Sequence, residues 1–193
     1  MSGKARDLYG SAPDKHDTAL LIIDMINDMQ FPEAPMLLEF AIPMAKRIKA
    51  LAARARAAGV PVIFVNDNFG RWRSDFKALV AHCLHSRGKK LAQMLKPKAK
   101  DYFVLKPKHS AFHSTTLDLL LKHLGTRRLI LTGMASNICV LFTANDGYLR
   151  DFKLVVPSDC VCANTQEDND HALAQMKKIL KADIREAPKI KLK

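Results

Sequence analysis

Residues 129–140 read LILTGMASNICV. An apolar run ends in Thr132-Gly133, small residues follow, and apolar helical spacing resumes at a cysteine. This is the pattern of a buried strand, a tight turn and a helix. A strand apolar on both faces is covered by helices on both sides, which is the condition of a parallel strand. The same pattern recurs outward in both directions. Residues 19–23 (ALLII) end at Asp24, 62–65 (VIFV) at Asn66-Asp67-Asn68, and 102–105 (YFVL) at Lys106. Residues 128–131 and 153–156 supply a fourth and a fifth strand, and 183–185 are the candidate for a sixth. Between them lie helical segments. Ala41, Met44, Ala45, Ile48, Leu51, Ala52 and Ala55 recur at helical spacing, with Pro43 expected in the first turn and a stop at Gly59 and Pro61. Residues 75–84 and 91–95 read as short helices. Residues 115–124 read as a helix capped by Ser114 or Thr115 and by Gly125, and 139–150 and 166–180 as two more. Strand and helix alternate throughout. The expectation is a three-layer α/β/α, Rossmann-like fold with a doubly wound, mostly parallel sheet of five or six strands.

The 193 residues are 48% hydrophobic and 26% charged, an ordinary globular composition. No apolar run approaches the length of a membrane span, and the N-terminus has no apolar signal core. One domain over residues 1–193 is expected, with its core at about 18–185, a polar N-terminal tail and a basic C-terminal tail. A cytoplasmic location with reduced thiols is expected for its four cysteines, none of which forms a C-x-x-C pair. The formal net charge is +12 and lies in two places: 87–108 carry +7 and 176–193 carry +5. These segments suit either a solvated surface or a polyanion. With no aromatic residues among the tail lysines and no nucleic-acid motif, a solvated surface away from the site is expected, and no nucleic-acid or membrane partner.

Ligands of doubly wound sheets bind beyond the carboxyl ends of the strands. That rule brings Asp24, Lys106 and the turn before Cys139 to one edge. Cys139 opens a helix, where the macrodipole and free N–H groups favour a thiolate and an oxyanion. A lysine there stabilises a thiolate, and a carboxylate takes a thiol proton. Each residue taken singly also has a plain explanation: a buried small hydrophobe, a snorkelling lysine, a turn-capping aspartate. His109 and His113 lack a further ligand for a metal and read as supporting or surface residues. Arg71, Trp72 and Arg73 follow the second strand and suit either an anionic, planar substrate or an ordinary surface loop. There is no dinucleotide fingerprint, Walker loop or nucleophile elbow.

Taken in order, LLIIDMINDM, PVIFVNDN, LKPKHSAF and LILTGMASNICV resemble the isochorismatase-like cysteine hydrolases, from about residue 18 to residue 183. The resemblance implies a catalytic triad of Asp24, Lys106 and Cys139. It also implies a non-proline cis peptide at Met134-Ala135 and an oxyanion hole from the N–H groups of Ala135 and Cys139. Asn68, Arg71, Trp72 and Phe112 are the candidate substrate contacts. The metal-binding D-x-H pattern of nicotinamidases is absent from residues 66–72, so no metal and no other cofactor is expected. Ile26 stands where many members have glutamine. The implied activity is hydrolysis of a small amide or related C–N bond. Asp24 takes the thiol proton, Cys139 forms a thioester, and water activated by Asp24 opens it. Two alternatives remain: a non-catalytic binding protein on the same fold, and an isochorismatase-type ether hydrolase that does not need Cys139. A homo-oligomer acting on a small molecule is expected.

Overall fold

The computed structural model describes residues 15–70 and 75–192. Six strands, β1 (Thr18–Ile23), β2 (Val62–Asp67), β3 (Tyr102–Lys106), β4 (Arg128–Met134), β5 (Lys153–Val155) and β6 (Val161–Cys162), form one sheet. The order is β3-β2-β1-β4-β5, with β6 paired to the end of β4, and every pairing between these strands is parallel. The order reverses direction between β1 and β4, and their carboxyl ends form the crevice in which such folds bind ligands.

The sheet separates two apolar layers. Leu20 and Ile22 of β1 face the side of α1 (Ala34–Ala57), α2 (Phe76–Cys83) and α3 (Lys89–Met94). Ala19, Leu21 and Ile23 face the side of α4 (Leu117–Leu124), α5 (Leu141–Tyr148) and α6 (Gln166–Lys178). The whole of β1 is buried, so alternation along it divides core from core rather than core from water.

Three sequence expectations need correction. The sixth strand is Val161–Cys162, not 183–185; Asp183 makes only an isolated bridge to Val155. Two residues beside β4 sufficed for a strand, too short a run to stand out as a pattern. The first helix starts at Ala34 rather than near Ala41, with Pro35 in its opening turn and Pro43 inside it. Pro43 is exposed, so the hydrogen bond it forgoes falls on the solvent side, where the loss is mildest. Helix α4 begins at Leu117 with Thr116 at its N-cap position. Thr115 acts one residue earlier, accepting from the Leu117 N–H at 3.2 Å and donating to the Ala111 carbonyl at 2.6 Å. Gly125 ends the helix in the left-handed conformation, as expected.

The basic residues of 87–108 are exposed with one exception: Lys106 is fully buried. Among the described residues, no helix is long and apolar enough to cross a membrane.

Candidate active site

The ends of β1 and β3 place Asp24 and Lys106, and the helical turn that follows β4 places Cys139. β1 stops at Ile23, and Asp24 turns the chain with φ 54°, a left-handed conformation that aspartate tolerates better than most residues. Gly133, at φ +112°, lies against the end of β1; a Cβ there would stand 2.0 Å from the Ile23 carbonyl oxygen. Only glycine lets β4 approach this closely, and the approach brings the turn after β4 beside Asp24. The Met134–Ala135 peptide is cis.

The helix after β4 begins earlier than the sequence suggested. Ser136–Val140 form one wide turn, in which the Val140 N–H donates to the Ala135 carbonyl five residues back, and the turn continues into α5. Cys139 therefore lies within the first turn of a continuous helical segment rather than at its opening residue.

The structure brings Asp24, Lys106 and Cys139 together. Lys106 Nζ is 2.9 Å from Asp24 Oδ2 and 3.5 Å from Cys139 Sγ. It also donates to the Lys108 carbonyl at 3.3 Å and has Asp67 Oδ2 at 3.8 Å. The Asp67 N–H donates to Asp24 Oδ1 at 2.8 Å. Asn66 binds the loop after Asp24 by donating to the Ile26 carbonyl at 2.9 Å. Ile26 itself is buried in the core. Among the described residues, the buried Oγ of Ser136 and Oδ1 of Asn66 and Asn137 have no hydrogen-bond partner.

The electrostatics run against the expectation of a thiolate at rest. Burial pushes the Cys139 thiol up, the Asp24 charge pushes it further, and Lys106 only partly opposes them, leaving it at about 12. Lys106 sits closer to the carboxylate than to the sulfur, so most of its charge is spent on Asp24. Burial also raises the Asp24 carboxyl above its ordinary value, against the lowering pull of Lys106. Burial alone would lower Lys106, but Asp24 and Cys139 outweigh it and hold the ammonium above its usual range. The resting site thus pairs an ammonium and a carboxylate beside a neutral thiol. Raising the carboxyl narrows the gap between proton donor and acceptor, which eases transfer from thiol to Asp24.

This predicts a particular alkylation pattern. Asp24→Asn removes the nearby anion and leaves Lys106, so iodoacetamide should label Cys139 about tenfold faster or more at neutral pH, each pKa unit recovered being worth about tenfold in thiolate. Cys83, Cys160 and Cys162 are buried and should stay unlabelled in the folded protein. Burial and Asp159 raise the Cys160 thiol, and burial takes Cys162 to about 12. Peptide mapping after a brief pulse checks this; unchanged labelling of Cys139 in Asp24→Asn would show that the carboxylate does not hold the thiol proton in place.

The other candidates scatter. Asn68 lies just past β2, where its N–H donates to the Lys106 carbonyl at 3.0 Å and its Oδ1 accepts from Gly70. Phe112 is buried in the core, stacked on Phe152 with the Arg150 guanidinium 4.7 Å from its ring centroid. Arg71 and Trp72 lie outside the described residues. The sequence makes His109 a supporting or surface residue. It is exposed, but its Nδ1 is 3.8 Å from Cys139 Sγ. Sequence reading names Asp67 at a strand end without a role and His109 as a supporting or surface residue; the structure makes them neighbours of Lys106 and Cys139. Their only signal was position, at a strand end and three residues beyond Lys106. Among the described residues, no three His, Cys, Asp or Glu side chains are grouped to hold a metal.

A six-stranded parallel sheet with helices on both faces, and polar side chains gathered at its switch point, defines an α/β protein of the ligand-crevice type. Residues 18–185 match the Isochorismatase domain. The chain is 43% identical over 170 residues to the isochorismatase family protein YaaI of Bacillus subtilis strain 168, covering 88% of this chain and 94% of that one. It is 32% identical over 171 residues to the ureidoacrylate amidohydrolase RutB of Pantoea ananatis, covering 74% of this chain and 68% of that one. The crystal structure of an isochorismatase family protein from Desulfovibrio vulgaris superposes with a TM-score of 0.74 at 27% identity, covering 89% and 95% of the two chains. The chain belongs to the isochorismatase family and is a hydrolase.

Proposed function

We propose that the protein hydrolyses a small amide or ureide C–N bond through a thioester on Cys139. The observation that carries this reading is the contact of Cys139 Sγ with Lys106 Nζ at 3.5 Å, with Asp24 held 2.9 Å from the same ammonium. A protonated thiol beside a carboxylate whose proton affinity is raised suits a nucleophile that ionises only as it attacks. Asp24 takes the thiol proton, and Sγ bonds to the substrate carbonyl carbon. The N–H groups of Ala135 and Cys139 receive the developing oxyanion. The C–N bond then breaks, and the leaving nitrogen takes the proton from Asp24. Lys106 keeps its charge throughout and holds carboxylate and sulfur in register. Water opens the thioester and frees the thiol. The amidohydrolase named among the relatives supports the choice of a C–N bond.

The test is to incubate the protein with a panel of small amides and ureides, quench in acid and search Cys139 by peptide mass spectrometry for an acyl adduct. The adduct is expected with the productive compound. Because Asp24 must be ionised to accept the proton and its carboxyl is raised, adduct formation should fall with acidification at a pH above the ordinary carboxylate range of about 4. Turnover of a panel member without acylation at Cys139 would overturn the mechanism.

A further inference from the structure

A cleft of about 300 Å³ opens between α1 and the end of α3 and reaches the sheet. Its buried lining is apolar: Ile22 of β1, Phe64 of β2, and Leu95 where α3 ends. Its exposed lining is cationic: Lys49 on α1, and Lys96 and Lys98 on the loop after α3. Half-buried Arg56 completes the wall. Among the described residues, no acidic side chain lines the cleft. A mostly apolar hollow with a few polar groups is the usual make-up of a small-ligand site, and this volume stands at the lower end of the range for such sites.

The loop that carries two of the lysines is fixed from inside. Arg56 donates to both carboxylate oxygens of Asp101, at 2.9 and 2.7 Å, and the Asp101 side chain is only 2% exposed. The Lys98 N–H donates to the same carboxylate at 2.6 Å, and the Asp101 N–H donates to the Lys98 carbonyl at 2.9 Å. Arg56 therefore takes up the Asp101 charge. Among the described residues, Lys49, Lys96 and Lys98 have no ion-pair partner. Three ammonium groups are left at the mouth of an apolar hollow. A solvated lysine surface has no need of the hollow, and a polyanion-binding surface has no need of its apolar base. A ligand with an apolar body and a multiply charged head uses both.

We propose that this cleft binds a small organic phosphate, with its planar or apolar body against Ile22, Phe64 and Leu95 and its phosphate among Lys49, Lys96 and Lys98. A phosphate ester carries nearly two negative charges at neutral pH and three strong acceptor oxygens. That matches a rim of three ammonium groups better than a single carboxylate does. Lysine binds phosphate as a point charge on a flexible stem, so exposed lysines can close on the head group without a fixed fork geometry. The apolar base favours the ester over the bare ion, and the rim favours the ester over its uncharged body. Two lysines of the basic segment 87–108 thus hold a ligand, apart from the residues that carry the hydrolysis.

1-Naphthyl phosphate has both parts and serves as the probe, with 1-naphthol and inorganic phosphate as its two halves. Calorimetric titration of the full chain at about 0.15 M salt should give a Kd on the order of 10–100 μM for the ester, the affinity that a ligand of this size reaches at ordinary efficiency. Each half should bind about tenfold more weakly or worse. Ala53 lies on the exposed face of α1 and lines the cleft, so Ala53→Trp fills the hollow. Lys49→Glu combined with Lys96→Glu reverses the rim. Each variant should weaken the ester by about tenfold or more. Thermal unfolding checks that the fold is kept; both lysines are exposed, so the lysine variant decides the outcome if the tryptophan disturbs the helix. Wild-type affinity in the lysine variant, a half that binds as tightly as the ester, or no binding of the ester at about 1 mM overturns the site. A short DNA duplex that binds more tightly than the ester, and is weakened by the lysine changes but not by Ala53→Trp, would overturn it in favour of a polyanion-binding surface.

Discussion

Cys139→Ala is expected to lose turnover of the natural substrate by roughly 10³-fold or more, and to form no acyl adduct, while folding normally. The size follows from the role: without the nucleophile, the remaining oxyanion donors and binding contacts supply only residual catalysis. The fold should hold because Cys139 is only partly buried and its sulfur touches the rim of the core rather than its centre. Alanine leaves Lys106 and Asp24 paired, so no buried charge is stranded. Thermal unfolding of the variant checks this, and steady-state assay with the productive compound measures the loss. Turnover retained in Cys139→Ala would exclude covalent thiol chemistry and favour direct hydrolysis supported by Asp24, the ether-cleaving alternative left open by the sequence.

Lys106→Met is the second large effect, and it reads on stability as well as on activity. Lys106 is fully buried, and Asp24 is nearly so. Removing one partner of such a pair strands the other, at a cost of about 3–5 kcal/mol. The cost should depend on pH with a definite sign. The Asp24 carboxyl is already raised by burial, and Lys106 is the largest influence holding it down. Without Lys106 it rises further. A group whose folded-state pKa exceeds its unfolded value contributes stability that is fully present below the unfolded pKa and lost as pH rises through the folded one. Lys106→Met should therefore be most unstable near neutral pH and approach the wild type on acidification, as Asp24 becomes a neutral acid. Urea unfolding across pH measures the curve. Asp24→Asn combined with Lys106→Met should recover much of the loss, because the pair is then removed together rather than split. A deficit below about 1 kcal/mol that does not change with pH would mean that water reaches Asp24 freely and that the pair is not the buried unit described above.

The alternation of apolar runs with helical spacing was enough to place the first five strands and the edge of the sheet at which Asp24, Lys106 and Cys139 meet. Fully buried parallel strands leave a strong local mark, because neither face can be polar: β1 and the first five residues of β2 contain only buried residues. Strand ends are equally visible, since the first polar residue after such a run stands at the edge, and Asp24 and Lys106 were found that way. β6 was invisible because a two-residue strand is defined by its neighbour rather than by its own pattern. The extra turns at the start of α1 were hidden by Pro43, which sequence reading places in a first turn and which the exposed face of a long helix tolerates.

What the amino-acid sequence determined by itself was the layer architecture, the strand-end positions of the acid, lysine and thiol, and the turn that Gly133 permits. These depend on local periodicity and on the chemistry of single residues. What only the tertiary structure decided was the electrostatic balance among them and the identity of their neighbours. A helix terminus and a nearby lysine argue for a thiolate, but the thiol is pushed up to about 12 because burial and Asp24 act on it more strongly than Lys106 does. That ranking depends on distances between three strand ends, and on which oxygen or sulfur lies nearest the ammonium. His109 likewise became a partner of Cys139 only through the ties of Ser110 and Ala111 to α5, contacts that span 36 and 32 residues of chain. Coulomb energy and desolvation vary with separation and depth, and neither is encoded in the order of residues until the chain has packed.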